Sequence, residues 1–134
     1  MGEIFIDIVI DSINQSQKLL DIMLEYQNSD GYCVITQKEL ADKLNRSQGL
    51  VSKLLRRLNR VDNCIELVSR GKYKVNNGNL LEKGPYVLVF KILNKLKDNP
   101  EIIKLPLKSQ ADIAGIALKD VEMAYGFIRN FQYD

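Results

Sequence analysis

The sequence predicts a mostly α-helical chain with a small antiparallel β-hairpin, an α+β class, and three observations lead there. Between residues 36 and 60, apolar side chains recur at helical spacing: Leu40 and Leu44, then Leu50, Val51, Leu54, Leu55 and Leu58. Immediately afterwards Cys64, Ile65, Glu66, Leu67 and Val68 alternate as a strand does, and Tyr73 and Val75 lie on a second strand beyond the break Ser69-Arg70-Gly71-Lys72. Past residue 84 the period returns to helical, with one strongly apolar helix and then a second pair of helices.

Taken in order, residues 3–11 set Glu3, Phe5, Asp7, Val9 and Asp11 against Ile4, Ile6, Ile8 and Ile10. Such dense β-branching predicts a strand. Its rival is a helix, since Glu3, Asp7 and Asp11 also stand four apart. A lone strand needs a partner, and a second copy of the chain is one candidate. Ser12-x-x-Gln15 reads as a capping box opening the first helix, whose buried face is Leu19, Leu20, Ile22, Met23 and Tyr26. Asn28-Ser29-Asp30-Gly31 ends it, and residues 32–35 are expected to join the hairpin as a third strand. Thr36 is an N-cap with Glu39 three residues on, which fixes the start of the next helix independently of the apolar spacing.

That helix and its successor are joined by a tight turn. Close helix packing needs a small residue at the crossing, a turn residue tolerant of unusual backbone, and an apolar anchor beyond; Ala41, Asn45 and Val51 meet these needs at offsets 0, 4 and 10. The outward face of the second helix carries Gln48, Gly49, Ser52, Lys53, Arg56, Arg57 and Arg60. Gly71 permits a positive φ at the hairpin bend, with Arg70, Lys72 and Lys74 around it. Residues 12–76 therefore resemble the winged helix-turn-helix DNA-binding domains of bacterial, archaeal, plasmid and phage regulators, such as MarR-type repressors and plasmid replication initiators.

The resemblance implies that the second helix enters the major groove. Arg46, Ser47, Gln48, Gly49, Ser52, Lys53 and Arg56 would then reach bases or nearby phosphate, with Gln48 suited to adenine, while Arg57, Arg60, Arg70, Lys72 and Lys74 hold backbone. Charge agrees with that placement. The chain carries a net +2, but residues 1–35 hold one cation and six acids (−5), residues 36–76 ten cations and four acids (+6), and residues 77–134 eight and seven (+1). An excess of six positive charges confined to the motif is the footprint of a phosphate-binding surface. A solvated basic face on an ordinary helical pair is the plainer account of the same pattern.

Two domains are expected: residues 1–76, and a helical module at 77–134 that packs or dimerises. Residues 76–84 are rich in Asn and Gly and read as the linker. Pro85 opens a helix whose residues Val87, Leu88, Val89, Phe90, Ile92, Leu93 and Leu96 are apolar over much of its girth, and Asp98-Asn99-Pro100 stops it. Beyond lie Ala111, Gly115 and Val121, again at 0, 4 and 10, a second helix-turn-helix-like motif. Its outward positions are Ala117, Leu118, Lys119, Asp120, Glu122 and Met123, a surface that repels phosphate and suits protein contact.

Composition narrows the function. At 46% apolar and 27% charged residues the chain matches a soluble globular protein. No apolar run approaches the length of a membrane-spanning helix, and the acidic start lacks the basic lead of a secretory signal, so a cytoplasmic setting is expected. The sequence contains no His, no nucleophile elbow and no Gly-rich phosphate loop, which argues against an enzyme, a metal site or a bound cofactor. Cys33 and Cys64 sit in apolar stretches as small buried hydrophobes. The expectation is a sequence-specific, double-stranded DNA-binding transcriptional regulator, a repressor acting as a homodimer, with the isoleucine-rich start and the helix at 86–96 as candidate interfaces. A replication or partition initiator on iterated sites is one alternative, and a protein-interaction adaptor is another. A small-molecule effector is not legible from the chain.

Overall fold

A computed structural model describes residues 2–82 and 85–130. It is mostly helical: α1 (Gly2–Glu25), α2 (Gln37–Leu44), α3 (Gln48–Arg60), α4 (Pro85–Asp98), α5 (Leu107–Ala114) and α6 (Leu118–Asn130), with a three-stranded antiparallel sheet of β1 (Cys33–Val34), β2 (Ile65–Ser69) and β3 (Lys72–Val75). A short 3₁₀ turn, Pro100–Lys104, follows α4. None of these helices is long and apolar enough to cross a membrane.

The chain divides into two compact units. One comprises the stretch up to Ile13 together with the stretch from Leu81 onward; the other is Asn14–Leu80. This differs from a division at residue 76 in two ways, and both have local causes. The expected strand at residues 3–11 is helix instead, continuous through Ser12, so Ser12 does not open a helix but lies in the interior of a 24-residue one. Ile6, Val9, Ile13, Ser16, Leu20 and Met23 are all buried, a 3-4 spacing that only a helix satisfies, whereas Ile8 on the alternating register is 56% exposed. Packing of that stripe outweighs the β-branched propensity. The expected linker is also tied down: Gln17 donates from Nε2 to the Gly78 carbonyl (2.9 Å) and accepts from the Leu80 amide (2.8 Å), while Leu80 is buried.

Within Asn14–Leu80, α1 ends at Glu25 and Asn28 organises the turn that follows it. Its side-chain oxygen accepts from the amides of Asp30 and Tyr32, and Gly31 takes φ +86°. The Thr36 hydroxyl then accepts from the Glu39 amide (3.1 Å) and donates to the Glu39 carboxylate (3.1 Å), a side-chain-to-side-chain form of the capping box. At the other end of α2, Asn45 adopts the left-handed conformation (φ 58°, ψ 46°), and the Arg46 amide reaches back to the Ala41 carbonyl. Ser47 caps α3 by accepting from the Leu50 amide (3.1 Å). Leu40, Ala41, Leu44, Val51, Leu54, Leu55 and Leu58 are buried, and α2 packs on α3 through them.

The sheet order is β1-β3-β2, so the short strand before α2 joins the hairpin as its third member. In β2 and β3, Ile65 faces Val75, Glu66 faces Lys74 and Leu67 faces Tyr73, with an irregularity between Leu67 and Ser69. Gly71 has φ +77° at the bend, and the Ile35 amide donates to its carbonyl.

In the other unit, α4 packs on α5 and α6. The stripe Tyr86, Val89, Ile92, Leu93 and Leu96 is buried, and Tyr86 meets Phe127 edge-on with ring centroids 5.6 Å apart. Asp7 on α1 lies 3.9 Å from Lys97, a solvent-exposed pair of small energetic consequence. Gly115 takes φ 71°, and the amides of Gly115 and Ile116 both reach the Ala111 carbonyl, repeating the turn at Ala41. Gln110, buried, donates to the Leu105 carbonyl (3.0 Å) and accepts from the Tyr125 hydroxyl.

Candidate nucleic-acid interface

Two adjoining clefts open where α3 meets the hairpin. The first, about 190 Å³, is lined on one side by Ser52, Leu55, Arg56, Asn59 and Arg60 of α3, and on the other by Ile65, Leu67 and Tyr73 of the sheet, with Gln37 completing it. The second, about 530 Å³, lies between the first turns of α2 and α3 and the hairpin tip, lined by Thr36, Gln37, Lys38, Gln48, Arg70, Gly71 and Tyr73. Gln37 and Tyr73 border both. Their side chains are hydrogen-bonded to one another; burial pushes the Tyr73 phenol above its ordinary range, and the Gln37 bond opposes that shift. Among the described residues no carboxylate lines either cleft.

The helical repeat explains the arrangement on α3. Val51, Leu54, Leu55 and Leu58 anchor one face in the core, so Ser52, Arg56 and Arg60, four apart, form a single row on the other. The sheet supplies the opposite wall because Ile65, Leu67 and Tyr73 share one strand face.

Of the residues expected at the site, Gln48, Ser52, Arg56, Arg60 and Arg70 line these clefts. Arg46, Gly49 and Lys53 are exposed but line neither, and Ser47 is exposed with its hydroxyl engaged as the α3 cap. Arg57 requires correction. It is 5% exposed, on the core side of α3, because it falls one turn after Leu54 and beside Leu58, within the span of the apolar face. Lys72 and Lys74 alternate with Tyr73 and therefore occupy the other face of the sheet: the Lys72 ammonium lies 4.4 Å from the centre of the Tyr32 ring, and Lys74 stands across from Glu66. Gln37, Lys38, Asn59 and Tyr73 were missed. For the first two, a signal existed in the positions just after the Thr36 cap, where a helix start faces the next element. For Asn59 and Tyr73 no local pattern distinguishes lining from packing.

Elsewhere the Lys43 ammonium donates to the Tyr26 hydroxyl at 2.6 Å. Cys33 and Cys64 are buried free thiols, both pushed up by burial, Cys64 to about 11. Among the described residues no cluster of three His, Cys, Asp or Glu side chains gathers as a metal site. No protein-family model, curated protein or solved structure matches the chain.

Proposed function

We propose that residues 36–75 form a winged helix-turn-helix, and that the protein is a sequence-specific, double-stranded DNA-binding regulator of transcription that represses as a homodimer. The observation that carries this reading is the convergence of Gln48, Ser52, Arg56 and Arg60 on α3 with Arg70 of the hairpin around two adjoining clefts that no acid among the described residues lines. At 13 residues α3 is about 20 Å long, enough to lie across the major groove with its first turn at the base edges. Gln48 and Ser52 sit where such a helix reads bases; Arg56 and Arg60, one and two turns on, sit where it meets phosphate. A single domain of this size covers only a short site, and a two-fold dimer on a palindrome supplies the missing contacts.

The test is binding to random and selected duplexes as salt is raised. A DNA binder loses affinity steeply, with a slope set by its phosphate contacts. Gln48→Ala should then relax sequence choice while leaving random-duplex affinity nearly unchanged. No measurable affinity for any duplex at low salt would sink the proposal in favour of a protein-interaction adaptor, and preference for iterated sites over one palindrome would favour an initiator.

A further inference from the structure

The two clefts differ in chemistry. The first mixes cations, Arg56 and Arg60, with the aliphatic groups of Leu55, Ile65 and Leu67. Among the described residues the second is lined by no large aliphatic side chain but by two cations, two amides, a threonine, a glycine and a buried phenol. Thr36 is committed to Glu39, and Gln37 to Tyr73. What remains to bring positive charge to the space is the Lys38 ammonium and the Arg70 guanidinium, from two separate elements, beside the Gln48 amide. Among the described residues neither Lys38 nor Arg70 makes an ion pair, in contrast to Lys97 with Asp7, and Glu39, the nearest acid in sequence, is held by Thr36.

We infer that this second cleft is a phosphate-binding site, in which Lys38 and Arg70 hold the oxygens of one phosphate group. Two cations from separate elements can each meet an oxygen of one oxyanion, and among the described residues no carboxylate lines the cleft to compete for its charge. At about 530 Å³ the space admits a phosphate with its ester substituents, so the group belongs either to a duplex backbone or to a free phosphorylated molecule. The assignment deepens the DNA-binding reading if the source is the duplex, and stands without it if the source is free.

The experiment is an amide-resolved NMR titration of the full chain with inorganic phosphate against chloride at constant ionic strength. The expected result is saturable shifts confined to residues 36–38, 48, 70 and 71. Lys38→Ala and Arg70→Ala should each weaken phosphate binding by roughly tenfold or more, as loss of a charge-assisted hydrogen bond does. Lys43→Ala, on the same helix as Lys38 but engaged with Tyr26, should leave it unchanged. Shifts spread over all the lysines and arginines, or equal weakening by Lys43→Ala, would overturn the site. A random duplex added to the phosphate-loaded protein then separates the sources. Displacement of phosphate by duplex places a backbone phosphate in the cleft; phosphate binding with no duplex binding assigns it to a free phosphorylated molecule, and it is then the regulator reading that fails.

Discussion

Arg56 and Arg57 are neighbours with the same side chain, and the structure assigns them opposite fates, which makes the pair the sharpest available test of how α3 is rotated on its core. Arg56 is exposed and lines the first cleft; Arg57 is 5% exposed. Exposed cations lining the clefts are Lys38, Arg56, Arg60 and Arg70, and Arg46 and Lys53, in the turn before α3 and on it, are exposed as well. If all six meet phosphate, log affinity should fall against log salt with a slope near −5, roughly a thousandfold between about 50 and 200 mM. Arg56→Ala should flatten that slope by about 0.9 and leave the melting temperature within a degree or two. Arg57→Ala should leave the slope alone and remove buried packing and polar contacts, a loss of about 2 kcal/mol and roughly 5–10 °C in Tm. The assays are fluorescence anisotropy with a labelled random duplex at several salt concentrations, and thermal melting by circular dichroism. A flattened slope for Arg57→Ala with none for Arg56→Ala would mean that α3 is turned the other way, and the assignment of both clefts would go with it.

Other expectations follow from individual contacts. Thr36→Ala removes the cap of α2 and should cost about 1 kcal/mol, read as a lowered Tm, with Thr36→Ser recovering most of it. Cys64 contributes a pH dependence of defined sign. Its thiol ionises near 9 in an unfolded chain and near 11 in the native state, so the folded protein favours the neutral form. That stabilisation is complete below pH 9 and is lost as pH rises through 11. Urea midpoints over this range should therefore fall more steeply for the wild type than for Cys64→Ala; parallel curves would show that the thiol is not buried.

How much of this was legible in the sequence depends on whether a residue's role is set locally. Thr36, Asn45, Gly71 and Gly115 act through their own backbone or the next turn, and each does what its residue type predicts. The three-stranded sheet was legible for the same reason, since the alternation of residues 64–68 and the glycine at the bend are local signals. The first 11 residues were not. Their alternating isoleucines satisfy a strand pattern over a short window, and only continuation of the 3-4 stripe through Ser16, Leu20 and Met23 discloses the helix. Arg57 shows a different limit: a helix in a small domain buries more than its apolar stripe, and the flanking position is filled by whatever the sequence holds there. The clefts lie further still from local signals, because Gln37, Gln48 and Arg70 come from three elements and meet only once the sheet order is set.

The two turns make the same distinction within one molecule. Ala41 and Ala111 are each 4% exposed, Val51 and Val121 are fully buried, and both turns close through paired amides on the alanine carbonyl. What is inside is shared, and it produces the same local geometry with Asn45 or Gly115 at the turn. What is outside is not: Gln48, Ser52 and Lys53 in the first motif stand against Leu118, Glu122 and Met123 in the second. If the buried residues specify the shape and the exposed ones only the partner, the second surface should be rewritable at little cost. Glu122→Arg with Met123→Arg should then change stability by no more than about 0.5 kcal/mol, measured by urea unfolding, because both positions are exposed and the helix start is untouched. A loss of 2 kcal/mol or more would show that this face is packed against something in solution, and the shared geometry would no longer account for the motif without a partner.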